Sequence, residues 1–376
     1  MSFIGKKGRR VKSITSALKD VVADIKIIEE RIGSKQLEEM TNKFTPVLLR
    51  YSEERGVNFC VDHNILELAR EGRTPKEILF EKEWKHQAML EDLLNFLTWR
   101  GVFRKKGREY HSVIRSKEES EEPIGLRPED RKWIEDAKGY KVVFTLFDRI
   151  LSRFVQDSIK TGSHSVTLDD RPAQLGPLMD SFFMNPSFTT PRMVVIAAAF
   201  KQAIPTKILD LNCGTGRGIE ELLLFNANAE IVGVTDNLFH LRVAERNLAV
   251  FSDQKKLYPR IEWRVADFSQ PLPNQLEDLV AQCDMVLINQ LFQFCPHEVH
   301  QRLVEDILSF LKPGGVGTFF QYLRAKAELP WPHEWFYRSI QGFSGIPTES
   351  TFKELVKKEN DRNVREIIPL TAYLVY

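Results

Sequence analysis

The sequence predicts a two-part chain: a mainly helical amino-terminal part, then an α/β domain built on a mostly parallel sheet. Three observations carry this. From Lys207 onward short apolar strands alternate with helical segments, a texture that means a parallel sheet covered on both faces. The first of these strands runs into a glycine-rich turn, Asp210-Leu211-Asn212-Cys213-Gly214-Thr215-Gly216-Arg217-Gly218. Ahead of residue 200 the apolar residues recur at helical spacing instead. A chain of 376 residues has room for two domains or three at about 150 residues each.

The helical part reads as follows. Residues 13–31 place Ile14, Leu18, Val21, Val22, Ile25 and Ile28 on one helical face, suited to packing within the chain or against a second copy. Asn64 to Arg70 is a short apolar helix. Thr74-Pro75-Lys76-Glu77 opens another, with Thr74 as cap, Pro75 in the first turn and Glu77 closing a capping box. A third helix spans about Lys85 to Arg100, and a small hairpin turning at Lys105-Lys106-Gly107 follows it. Three helices and a hairpin make the plan of a winged helix over residues 1–116. Glu91 and Asp92 on the third helix argue against its use on DNA. Residues 117–130 are a charged linker, and 131–200 a helical connector expected to reach the substrate pocket.

In the α/β part, residues 201–376, strands are expected at Lys207–Leu211, Glu230–Val234, Ile261–Val265, Asp284–Asn289 and Gly317–Tyr322. Helices are expected around Glu220–Phe225, Leu238–Val250 and Glu298–Leu311. Ligands of such sheets bind at the carboxyl ends of the strands, where the strand order reverses.

Composition narrows the function. Lys and Arg number 53 against 52 Asp and Glu, a net charge of +1, which lacks the field of a general nucleic-acid binder. The longest apolar run, Met193 to Phe200, is far short of the roughly 20 residues that cross a bilayer. The basic start (Lys6, Lys7, Arg9, Arg10, Lys12) is not followed by a signal-peptide stretch. Cys60, Cys213, Cys283 and Cys295 form no CxxC pair and no zinc-type cluster, so they read as reduced thiols of a cytoplasmic protein with no metal site.

The glycine turn carries the chemistry. A dinucleotide site wants G-x-G-x-x-G, but from Gly214 the third glycine falls on Ile219. Asp210 just ahead of the glycines suits a cation and repels a pyrophosphate. This arrangement resembles the first motif of the class I S-adenosylmethionine-dependent methyltransferases, acidic-x-Gly-x-Gly-x-Gly, here Asp210, Asn212, Gly214 and Gly216. Asn replaces the first glycine; Asn tolerates positive φ better than most residues.

Further elements of that family's plan occur in order over about residues 180–376. Val232-Gly233-Val234-Thr235-Asp236 ends the second strand, where the resemblance implies an acid on the ribose hydroxyls. Thr235 stands in the acid's register and Asp236 one further on, with Asp236 favoured. Leu241, Ala244 and Arg246 match the next helix. Val265-Ala266-Asp267-Phe268 matches the loop whose carboxylate accepts from the adenine amino group, with Phe268 stacking. Cys283 to Asn289 matches the fourth strand, with Asn289 at the cofactor, and Leu311-Lys312-Pro313-Gly314-Gly315 the turn before the fifth. The resemblance implies a Rossmann-like domain with S-adenosyl-L-methionine as cofactor. With the winged-helix-like part, it extends to small-molecule O-methyltransferases that dimerise through that module.

A hydroxyl acceptor needs a base near neutral pKa, most often His. In the resembled enzymes it lies just after the fourth strand, where this chain has Gln293, and glutamine cannot act as a base. His297 and His300 lie a few residues on. Three explanations stay open: a base displaced to His297 or His300, an acceptor that ionises readily, or cofactor binding without methylation of hydroxyls. Phe183, Met184, Trp331 and Trp335 belong to aromatic-rich segments suited to an apolar substrate pocket. The expected enzyme is a dimeric O-methyltransferase of small, largely apolar or aromatic molecules. The alternatives are a protein or nucleic-acid methyltransferase and a cofactor-binding regulator.

Overall fold

The computed structural model describes residues 40–114, 124–137, 140–163, 184–255, 260–326, 331–332, 334–340, 342–357, 363–368 and 370–376. The expected helix over 13–31, the first half of the charged linker and Phe183 lie outside the described residues. The chain divides into two compact units. One holds Thr41–Arg171 with Lys326–Gly345, and the other Pro172–Ala325 with Ile346–Tyr376.

The first unit is helical. Helix α1 (Thr45–Asp62) leads into the short α2 (Ile65–Leu68) through Asn64, whose φ of 56° makes the bend. Helix α3 (Pro75–Glu81) starts on the predicted capping box: Thr74 Oγ1 accepts from the Glu77 N–H, and Glu77 Oε2 accepts from the Thr74 N–H. Helix α4 (Gln87–Trp99) buries Met89, Leu90, Leu93, Leu94 and Leu97. Strands β1 (Phe103–Lys106) and β2 (Glu109–Ser112) pair antiparallel as the expected hairpin, turning at Gly107 with φ 61°. Helices α5 (Pro128–Asp136), α6 (Lys141–Ile150) and α7 (Gln156–Thr161) follow. Paired forks bind the parts: Arg50 holds Asp130, and Arg100 holds Glu53, each through two hydrogen bonds.

No signal in the sequence separates residues 326–345 from the α/β part, yet they pack in this helical unit. Arg338 Nε donates to Asp92 Oδ2 at 2.7 Å, Trp335 lies 5.7 Å from Phe59, and Phe336 lies 4.8 Å from Phe147. Asp92, weighed in the sequence as a charge against DNA, is engaged in this structural ion pair.

The second unit is α/β. Its elements are α8 (Pro186–Phe200), β3 (Lys207–Leu211), α9 (Arg217–Phe225), β4 (Glu230–Thr235), α10 (Leu238–Lys255), β5 (Ile261–Val265), β6 (Cys283–Asn289), α11 (His300–Ser309), β7 (Leu311–Phe320), α12 (Glu349–Lys357), β8 (Val364–Ile368) and β9 (Ala372–Val375). The sheet runs β5-β4-β3-β6-β7-β9-β8. Its first five strands pair parallel, and β9 pairs antiparallel with both β7 and β8. This is the doubly wound, Rossmann-like class the sequence predicted. The order reverses between β3 and β6, so the ligand crevice lies at the carboxyl ends of those strands.

Two details differ from expectation. Strand β7 begins at Leu311, before the Pro-Gly-Gly stretch, because Cys283 pairs with Leu311 ahead of an irregularity in register. The closing β8–β9 hairpin carries no alternation strong enough to name it in advance. The central strands are buried on both faces, with Leu209, Val232, Val286, Ile288 and Phe319 in one core. Helix α8 absorbs the longest apolar run, with Val194, Val195 and Ile196 fully buried. No described helix is long and apolar enough to cross a membrane.

Helices α8 and α9 are joined by a buried bidentate ion pair. Arg192 Nε and Nη2 donate to Glu221 at 2.7 and 2.6 Å, and both residues are more than nine-tenths buried. Arg192→Met leaves the Glu221 carboxylate buried without its cation. Denaturant unfolding should then show a loss of about 3–5 kcal/mol, and a loss under 1 kcal/mol would mean the pair is not buried in solution.

Candidate active site

Strand β3 delivers Asp210 to the crevice, and the turn after it needs positive φ at three places. Asn212 has φ 61°, Gly214 53° and Gly216 82°. Asn212 fills the first-glycine place without a glycine, and its Nδ2 donates to the Asn289 carbonyl at 2.6 Å, stitching the turn to the end of β6. The Cys213 N–H donates to the Val234 carbonyl at 3.0 Å, which ties the turn to β4. The glycines have different reasons to be small. A Cβ on Gly216 would sit 3.0 Å from Ala244 Cβ, and one on Gly218 would sit 2.9 Å from Asp210 Oδ2. A Cβ on Gly214 would meet nothing within 4 Å, so that glycine borders open space.

Below the turn Asp210 is fully buried. Asn289 Nδ2 donates to its Oδ1 at 2.6 Å, while Asp210 Oδ2, Asn289 Oδ1 and Thr215 Oγ1 are buried without a partner. Burial pushes the Asp210 carboxyl up to about 8, against the pull of Arg192 and of the Asn289 amide. A buried carboxylate lacking a full set of partners accommodates a cationic ligand group. The polarity of these three unpartnered atoms suits the amino-acid end of S-adenosylmethionine. Among the described residues no group of three or more His, Cys, Asp or Glu could hold a metal.

The residues expected at the nucleoside lie at the ends of β4 and β5. Thr235 is buried, with its Oγ1 accepting from the Asn237 N–H at 3.2 Å, and Asp236 beside it is exposed. Asn237, which the sequence reading passed over, caps α10 by accepting from the N–H groups of Phe239 and His240. An Asn directly before an apolar helical pattern was the available signal. Asp267 is exposed; its Oδ1 accepts from Ser269 N at 2.8 Å and Ser269 Oγ at 2.6 Å. Phe268 beside it is buried.

The proposed acceptor side lies at the ends of β6 and β7. Gln293 is 7% exposed and bonded to two other glutamines, Gln290 and Gln321, which the sequence reading did not select. His300 is buried, and its Nε2 lies 2.8 Å from the Phe292 carbonyl and 3.0 Å from that of Cys295. Two carbonyl partners require the proton on Nε2. Burial holds the ring's pKa below the usual value, so this nitrogen clamps the loop after β6. His297 is exposed, its ring 4.9 Å from that of His300. Met184 is half exposed just ahead of α8. Trp335 is buried and Trp331 partly buried, both in the helical unit.

The turn geometry separates binding from folding. Gly214→Ala should weaken S-adenosylhomocysteine binding at least tenfold by calorimetry while the protein still folds, since the added methyl meets only the open side and its positive φ costs about 1–2 kcal/mol. Gly216→Ala should instead lower the thermal midpoint, because it presses on Ala244. Binding of a cationic group selects ionised Asp210. Affinity for S-adenosylmethionine should therefore fall as pH drops below about 8, by up to about tenfold per unit. Asp210→Asn should flatten that dependence; an unchanged slope would take Asp210 out of the site.

Comparison with known proteins bears on the domain and the fold. Residues 208–315 match the family model described as methyltransferase domain. No curated protein matches the sequence. Among solved structures, the chain is similar to the CMeT domain of the citrinin polyketide synthase (14% identity, 96% of each chain covered, TM-score 0.63). It is also similar to an O-methyltransferase family 2 protein from Planctomyces limnophilus in complex with apigenin (15% identity, 89% of this chain and 95% of that one, TM-score 0.52). A third is an O-methyltransferase family protein from Burkholderia thailandensis (13% identity, 90% and 96% covered, TM-score 0.50). Likeness at these identities speaks for the fold, and the domain match with the Asp210 seat speaks for the cofactor. The chain thus carries a methyltransferase domain, built on a Rossmann-like fold and with S-adenosylmethionine as its cofactor.

Proposed function

We propose that the chain moves a methyl group to a small, largely apolar or aromatic molecule, at oxygen. The observation that carries this is the pairing of a cation seat at Asp210 with an amide-lined end of β6 and β7. The bound cofactor supplies a methyl on a positively charged sulfur. What the protein adds is alignment of acceptor, methyl and sulfur, worth several kcal/mol through orientation alone. Asp210 and Asn289 hold the charged end, the Asn212–Gly216 turn leaves it room, and Asp236 and Asp267 offer carboxylates to the ribose and the adenine amino group. Phe188, whose ring packs edge-on against Phe320 and Tyr322, supports an apolar lining near the end of β7.

With Gln293 in the base's place and His300 Nε2 bonded to carbonyls, the proton of the acceptor leaves by way of exposed His297 or directly to water. That arrangement also favours a second reading, methylation at an acidic carbon, which the likeness to a CMeT domain keeps in view. We further propose that the helical unit, with its three helices and hairpin, works as a winged-helix-type dimerisation module, to be checked by light scattering.

Labelled S-adenosylmethionine with a metabolite extract should yield a labelled small product, lost in Gly214→Ala. Label appearing only in protein or nucleic acid would overturn this reading in favour of a macromolecular acceptor.

A further inference from the structure

At the carboxyl ends of β6 and β7 three glutamines form one chain of amides; the backbone fixes the orientation of Gln321 and Gln290, and these two fix that of Gln293 between them. The Phe292 N–H donates to Gln321 Oε1 at 3.1 Å, and Gln321 Nε2 donates to the Tyr322 carbonyl at 3.1 Å, so the Gln321 amide has one possible orientation. Its Nε2 also donates to Gln293 Oε1 at 2.5 Å. Gln293 Nε2 then donates to Gln290 Oε1 at 2.9 Å, and the Tyr322 N–H donates to the same oxygen at 3.2 Å. Gln290 Oε1 is thus doubly occupied by donors, and the Gln290 Nε2 hydrogens are what the chain leaves over. That nitrogen is buried without a partner, on a residue only 7% exposed. An orphaned buried donor costs about 1–3 kcal/mol. Gln290 also sits at φ 50°, a strained setting for a non-glycine residue. Two local penalties on one residue at a strand end mark a place held for a ligand.

The ligand is the acceptor, because Gln290 is tied to Tyr322 at the β7 side of the crevice, while the cofactor seat is on Asp210 and the turn after β3. We propose that Gln290 Nε2 is the hydrogen-bond donor to an anionic oxygen of the acceptor, a phenolate or the enolate of a 1,3-dicarbonyl, with Gln293 and Gln321 as positioning residues. This rests on the small-molecule reading above. A relay made only of amides takes no proton, so the acceptor arrives already ionised, its proton gone to solvent. Its electron pair forms the new bond to the methyl carbon, and the electrons of the broken sulfur–carbon bond stay on sulfur, leaving a neutral thioether. A fixed N–H dipole aimed at the anion costs no reorganisation at that moment.

The test uses the protein loaded with S-adenosylhomocysteine and two probes, 4-nitrophenol and acetylacetone, with anisole as the neutral control. Both ionisable probes should bind in calorimetry and anisole should not. The absorbance titration of 4-nitrophenol should shift toward the anion by at least tenfold on binding. In Gln290→Met the probes should bind at least tenfold more weakly and the shift should vanish. Gln290→Glu keeps the oxygen that Gln293 and Tyr322 bind but replaces the donor with an acceptor, so it should lose the probes too. Both variants should bind S-adenosylhomocysteine within twofold of the parent, which also reports that they fold. Unchanged probe binding in the variants, or no probe binding to a parent that binds S-adenosylhomocysteine, would overturn the assignment of Gln290. Failure of the parent to bind S-adenosylhomocysteine would instead overturn the cofactor site.

Discussion

A carboxylate buried at the end of a central strand sets the terms for this site. Asp210 lies under a turn that shields it from water, and one neutral amide, Asn289, is its direct partner. Such a group is costly unless a positive charge arrives, and its raised pKa expresses that cost. Arg192 offsets part of it, its field favouring the ionised carboxylate, while its partner Glu221 opposes that pull. The remainder of that cost is what a cationic ligand group would relieve.

The turn above Asp210 shows why one motif can tolerate a substitution at one glycine and not at others. The first position needs positive φ and a short side chain, and Asn212 meets both while adding a hydrogen bond to the end of β6. Gly216 and Gly218 are limited by close packing against Ala244 and Asp210, so any Cβ there forces a shift. Gly214 is limited by its positive φ and by what occupies the open side. The same residue type thus answers to backbone angle, to packing and to ligand space within five positions.

The acceptor side replaces a titrating group with amides. A histidine after β6 would supply a base; Gln293 cannot, but it can fix an orientation, because an amide bonded at both ends no longer rotates. His300 is a reminder that a histidine near a site is not thereby a base: with its Nε2 on two backbone carbonyls, its work is to hold the loop. On the proposed reading, an acceptor held by these amides brings acidity of its own.

Much of the α/β unit was legible because its signals are local. Strand residues buried on both faces are apolar in runs, helices repeat at 3.6, and a glycine turn after a strand declares a ligand, so the five parallel strands and the Asp210–Gly218 turn could be read directly. The capping box at Thr74 was legible for the same reason. What stayed hidden depends on residues distant in sequence. Arg192 meets Glu221 only because α8 and α9 pack together, Gln321 meets Gln293 only because β6 and β7 are neighbours, and Arg338 meets Asp92 across 246 positions. Periodicity and motif spacing report what a segment prefers by itself. Which polar atoms are paired, and which buried donor or carboxylate is left waiting for a ligand, is decided only when separate strands are brought edge to edge.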